Sequence, residues 1–128
     1  NPIKGVMFFQ EDIANIDEIE KIFLLKSKFD LVISDLAPNL TGIRAVDEEN
    51  IFELNIVTLR TALSYLSRSN GSFVIKTFQN SLLKKLRTEM EKSFHLVQTY
   101  KPAASKSKSA EIYLYGERPL WIQYLKMH

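Results

Sequence analysis

The sequence predicts an α/β protein built on a mostly parallel sheet, and three of its features carry that expectation. Short apolar runs alternate along the chain with amphipathic stretches of helical length. The connections between the first three runs are long enough for crossover helices, which parallel pairing requires. Leu31, Val32 and Ile33 are apolar without alternation, as in a parallel strand covered on both sides. Helices are therefore expected on both faces of the sheet.

Residues 6–10 read as a short buried strand, and 12–26 as a helix with Ile16, Ile19, Ile22, Phe23 and Lys26 at helical spacing. Residues 30–34 form the second strand. Pro38, Asn39, Thr41 and Gly42 mark 36–46 as a loop. Asp47 is then placed to cap a helix reaching about residue 68, with Ile51, Leu54, Val57, Leu59, Ala62, Leu63 and Leu66 on its apolar side. Asn70 and Gly71 turn the chain into a third strand at 72–78, followed by an amphipathic helix over 81–92. Residues 94–100 form a fourth strand. A small, polar, basic loop, AASKSKSA, leads to a fifth strand at 111–115 that Gly116 ends. The short connection allows the last two strands to pair antiparallel. Residues 119–127 are apolar enough to pack back on the body, with Trp121 as the anchor.

A chain of 128 residues with 45% hydrophobic content can bury one real core, so a single domain over 1–128 is expected and disorder is excluded. The net charge is only +2, yet Lys84, Lys85, Arg87, Lys92, Lys101, Lys106 and Lys108 face just Glu89 and Glu91 between positions 84 and 108. Such a local basic face can bind phosphate without an extreme overall charge. The absence of cysteine rules out disulfides and thiolate metal sites, and His95 and His128 lie too far apart to suggest a ligand pair. No metal is expected. The apolar runs are strand-sized and the first residues carry no targeting pattern, so a soluble intracellular protein is the plain expectation.

Three ionisable residues stand at or near strand-like runs: Asp35 after LVIS, Lys76 after SFVI, and Glu111 before IYLY. Apolar neighbours desolvate a charge, so each group must find a partner, shift its pKa or reach a solvated strand end. Taken singly, Asp35 could be a turn residue, Lys76 a side chain snorkelling to solvent, and Glu111 an edge-strand charge. Open α/β sheets bind ligands at the carboxyl ends of their strands, where Asp35 and Lys76 fall. Nucleotide-type cofactors in this fold class also use a glycine-rich turn, whereas Gly5, Gly42, Gly71 and Gly116 are all isolated.

The segments FDLVISDLAPNLTG, SFVIKTF and KPAASKSKSAEIYLYG, in this order, resemble the FtsJ-type methyltransferases that methylate a ribose 2′-hydroxyl of RNA. The resemblance extends from Pro2 to Gly116. It implies a Rossmann-like methyltransferase fold, S-adenosyl-L-methionine as methyl donor and an RNA substrate. The wording SDLAPN is most similar to the branch acting on a uridine of large-subunit ribosomal RNA. In the family a Lys-Asp-Lys-Glu tetrad surrounds the reacting hydroxyl; Asp35 resembles its aspartate, Lys76 its second lysine and Glu111 its glutamate. NPIKGVMFFQEDI looks like the segment after the acidic residue that holds the cofactor ribose, which gives Asp12 and Ile13, with Asp35, a cofactor role. Lys106 and Lys108 would contact RNA phosphates; Lys106 stands where the family usually has arginine, keeping the charge but losing the bidentate fork.

The first lysine of the tetrad and the glycine-rich loop have no counterpart, so the resemblance implies that the front of the domain is missing from this chain. Without a second cation, Asp35 and Glu111 should both favour the charged form of Lys76, the expected general base. The 128-residue chain is accordingly expected to be inactive by itself. A monomeric, cytoplasmic or organellar enzyme acting on ribosomal RNA or the large ribosomal subunit, with no membrane contact, is the leading expectation. The alternative is a non-catalytic RNA-binding module on a methyltransferase scaffold.

Overall fold

In a computed structural model, residues 6–9, 29–36, 38–102 and 111–120 are described. They form a five-stranded sheet: β1 (Val6–Phe9), β2 (Leu31–Ser34), β3 (Ser72–Phe78), β4 (Phe94–Tyr100) and β5 (Glu111–Pro119), in spatial order β1-β2-β3-β5-β4. β1, β2 and β3 pair parallel, while β5 runs antiparallel to both β3 and β4. β4 therefore points the same way as the first three strands, and β5 alone runs against them. The antiparallel C-terminal pair and the mainly one-way sheet match expectation.

Among the described residues two helices accompany these strands, α1 (Arg44–Tyr65) and α2 (Leu83–Glu91). α1 contains no glycine or proline, and its turns present Ile51, Asn55, Thr58, Leu59, Ala62 and Leu63 to the interior. It stops where Leu66 turns extended, with ψ 144°. Its exit is tied to the entry of β2: Phe29 N–H donates to Tyr65 O at 2.9 Å and Ser67 N–H to Phe29 O at 2.7 Å. In α2, Leu86 and Met90 lie one turn apart on the buried side. The Asn80 carboxamide oxygen accepts the Leu82 N–H at 2.9 Å, fixing the approach to that helix.

Both helices cover one face of the sheet. There Val32, Phe73, Ile75, Ile112 and Leu114 meet Leu59, Ala62 and Leu63 of α1 and Leu86 and Met90 of α2 in one apolar cluster. The residues between them in β2, β3 and β5 point the other way and are only half-buried. The helix expected over 12–26, the packing expected of the tail after residue 120 and the helices expected on that second face lie outside the described residues. Among the described residues no helix is long and apolar enough to cross a membrane, and no group of His, Cys, Asp and Glu could hold a metal ion.

Several sequence expectations are corrected. α1 begins at Arg44, inside the expected loop, and Asp47 is not its N-cap. The Asp47 carboxylate instead reaches back from the first turn, accepting the Thr41 N–H and hydroxyl at 2.7 Å each and the Gly42 N–H at 3.0 Å. These donors hold its carboxyl below the usual carboxylate range. Gly42, at φ 88°, supplies the left-handed turn this loop needs. Val57 is 40% exposed, since polar Asn55 and Thr58 take the interior positions beside it. Gly116 does not end β5 but lies inside it, paired with Phe73 and Val97, and a Cβ there would stand 2.5 Å from the Phe94 ring, which stacks on Phe73 at a centroid separation of 6.1 Å. The regular pleat breaks later, at Arg118 with φ 59°.

Candidate functional site

The charged cluster grows out of strand register. Ser34 stands beside Ile75, so the next residue, Asp35, comes level with Lys76. On the other side Lys76 pairs with Tyr113, and Phe78 with Glu111. Because cross-strand partners share a face, Lys76, Tyr113 and Glu111 all project away from the helices. The antiparallel course of β5 brings its first residue to the end of the sheet where β2 and β3 finish.

Lys76 Nζ lies 2.5 Å from Asp35 Oδ1 and 3.7 Å from Glu111 Oε2. Its side chain is 14% exposed, whereas those of Asp35 and Glu111 are 56% and 33% exposed. A ligand arriving from solvent therefore meets carboxylates first and the amine behind them. The Phe78 ring, 6.0 Å from Nζ, adds a weakly favourable cation–π contact. The Asp35 hydrogen bond raises the Lys76 pKa above its ordinary 10.5; burial opposes this, and the charges of Asp35, Glu111 and Tyr113 reinforce it. Lys76 is thus held as an ammonium by its two carboxylate neighbours.

A second set of contacts fixes the strand behind the amine. Asn55 Nδ2 donates to Thr77 Oγ1 at 2.7 Å, both side chains being buried, which ties α1 to β3 one residue beyond Lys76. Sequence reading passed over this pair. Its signal was a carboxamide one turn from Ile51 and one from Leu59, in an otherwise apolar stripe.

Asp35, Lys76 and Glu111 are brought together as expected, while Asp12, Ile13, Lys106 and Lys108 lie outside the described residues. The basic stretch is not one free face. Arg87 donates to the Thr99 hydroxyl and to Val97 O and pairs with Glu91 at 3.4 Å. Lys92 pairs with Glu89 at 3.2 Å, and Lys85 Nζ sits 5.0 Å from the Phe52 ring centroid.

A one-way sheet with one reversed strand, carrying a lysine and two carboxylates at its strand ends, defines the Rossmann-like α/β class with a polar site at the sheet rim. Within that class, the chain belongs to the FtsJ-like methyltransferase family, whose model matches residues 1–118. It is 40% identical over 116 residues to ribosomal RNA large subunit methyltransferase E of Methanococcus aeolicus, covering 90% of this chain and 43% of that protein. The protein of the same name from Anaplasma marginale is also 40% identical over 116 residues, with 91% and 57% covered. The chain thus spans about half the length of the curated relatives it matches. A crystal structure of a ribosomal RNA methyltransferase from Plasmodium falciparum superposes with a TM-score of 0.72 at 27% identity, covering 94% of this chain and 67% of that one.

Proposed function

We propose that the protein transfers a methyl group from S-adenosyl-L-methionine to a ribose 2′-hydroxyl of RNA, on a uridine of large-subunit ribosomal RNA, with residues 1–128 acting within one catalytic domain. The observation that carries this reading is the Lys76 amine between Asp35 and Glu111 at the strand ends of a methyltransferase-family fold. The residues present suit such a donor: Asp35 is a half-exposed carboxylate at the rim, matched to a cationic sulfonium or ammonium group. When bound, the donor supplies a methyl group on positively charged sulfur. Asp12 and Ile13 are assigned to the same cofactor by the family resemblance, as Lys106 and Lys108 are to RNA phosphates. The protein is taken to act as a monomer in the cytoplasm or an organelle.

Ribose methylation forms an O–CH3 bond, breaks the S–CH3 bond and releases the hydroxyl proton. Lys76 is the group placed to take that proton, and Asp35 and Glu111 stabilise the ammonium that results. The same carboxylates oppose the preceding step, because Lys76 must first be neutral. A further cation beside Asp35 would compete for its carboxylate and lower the Lys76 pKa. The first lysine of the family tetrad would be such a cation. Positioning of the hydroxyl by this rigid rim is the larger contribution, worth roughly 7–11 kcal/mol in well-oriented systems.

The test is methyl transfer to large-subunit ribosomal RNA by the full-length protein, with the modified nucleotide mapped by its resistance to alkaline cleavage. Transfer to a ribose, abolished by Lys76→Met with donor binding retained, supports the reading. Equal transfer by wild type and Lys76→Met would overturn it.

A further inference from the structure

The cluster belongs to a longer row that crosses the sheet. Asp35 is level with Lys76, Lys76 pairs with Tyr113, and Tyr113 pairs with Tyr100 on β4. All four residues project from the face opposite the helices. Exposure changes along the row: Lys76 is nearly enclosed, Tyr113 half-buried, and Tyr100 is 64% exposed. Two strand spacings, about 10 Å, separate Tyr100 from the amine at the level of the backbone. Tyr100 also borders an open groove of about 690 Å³ that includes Gln98, Thr99, Tyr115 and Arg87. The next residue, Lys101, is exposed.

A large aromatic ring left this open loses the burial that normally accounts for its place in a strand. β4 does not need it to protect its edge, because Arg87 already donates to the Val97 carbonyl and Thr99 hydroxyl there. An exposed ring beside a lysine, in line with a ribose-modifying amine, matches the chemistry of single-stranded RNA recognition. Unpaired bases stack on aromatic faces while cations hold the adjoining phosphates.

We propose that Tyr100 is a stacking platform for an unpaired base of the RNA substrate, neighbouring the nucleotide whose ribose meets Lys76, with Lys101 beside the intervening phosphate. This rests on the RNA reading of the site and adds the path of the strand, from the rim of β3 across β5 to β4. The ligand class is a single-stranded RNA segment; a duplex has no free base face to offer at this position.

The test is equilibrium binding of a fluorescent single-stranded RNA oligonucleotide, carrying the mapped target sequence, to the full-length protein. Tyr100→Ala should weaken binding by about 5- to 150-fold, the range for loss of one base–aromatic stack, while Tyr100→Phe should bind like wild type. An abasic site beside the target nucleotide should weaken wild-type binding but cost Tyr100→Ala nothing further. Lys101→Ala should instead flatten the salt dependence, which Tyr100→Ala should leave unchanged. If wild type binds and Tyr100→Ala binds equally well, or the abasic penalty is the same in both at every neighbouring position, the stacking proposal is wrong and the RNA reading stands. If wild type binds no RNA, both fall.

Discussion

The two faces of the same sheet have been put to opposite uses. Toward the helices, Val32, Phe73, Ile75 and Leu114 are fully buried, and packing leaves each side chain a single arrangement. Away from the helices, the alternate residues of the same strands are half-buried and include Lys76, Glu111, Tyr113 and Tyr115. One residue of translation along β3 thus separates an apolar anchor, Ile75, from the amine of Lys76. The closely packed face supplies the rigidity, and the wetter face can hold charge because a fixed backbone keeps its partners within reach.

The contrast can be tested by substitution on either side. Phe73→Ala should cost about 3–5 kcal/mol in urea unfolding, since it opens a cavity beside the Phe94 ring. Lys76→Met, three positions along, should reduce methyl transfer by about 10²–10⁴-fold with a small change in unfolding midpoint. If Lys76→Met unfolds as readily as Phe73→Ala, the division between the faces is wrong. Gly116→Ala should come next, at about 1–3 kcal/mol, because the added methyl meets the Phe94 ring with no room to move it cheaply. Differential scanning calorimetry on that variant would measure this.

Smaller effects should appear in pH dependence. Glu111→Gln removes one of the anions that raise the Lys76 pKa, so the rise of activity with pH should move to lower pH. An unmoved profile would exclude Glu111 from the proton balance. In the folded protein the raised Lys76 pKa has the matching sign: its contribution to stability is complete below about 10.5 and is lost as pH rises through the higher folded value. Asp47 behaves oppositely. Its lowered pKa gives stability present above 3.8 and lost as pH falls through the folded value, so the melting difference between wild type and Asp47→Asn should shrink in acid.

The elements best read from sequence were those whose pattern is local. The bounds of β3 follow from apolar residues between a turn and a helix, those of β4 from the end of a helix and the Lys101-Pro102 step, and they stand at 72–78 and 94–100 as expected. Asp35, Lys76 and Glu111 were legible because ionisable residues at strand ends are unusual and their flanking words resemble a family. What depended on distant partners was not legible. Gly116 looked like a strand terminator until Phe94, 22 positions earlier, was seen to occupy the space of its missing side chain. Asp47 looked like a cap because the donors it serves come from residues before the helix. Tyr100 carries no distinguishing signal in the sequence, since neither its exposure nor its alignment with Lys76 exists until β5 is inserted between β3 and β4.

That insertion has a consequence for how the protein is made. Translation delivers Asp35 and Lys76 well before Glu111, and β4 leaves the ribosome before the strand that must separate it from β3. Until residue 119 has emerged the whole of β5 cannot close the seam between β3 and β4, and until residue 111 has emerged the amine lacks one of its two acidic neighbours. Closing the seam and completing the charge cluster therefore both wait for β5, so a polypeptide synthesised only as far as β4 cannot carry a finished centre.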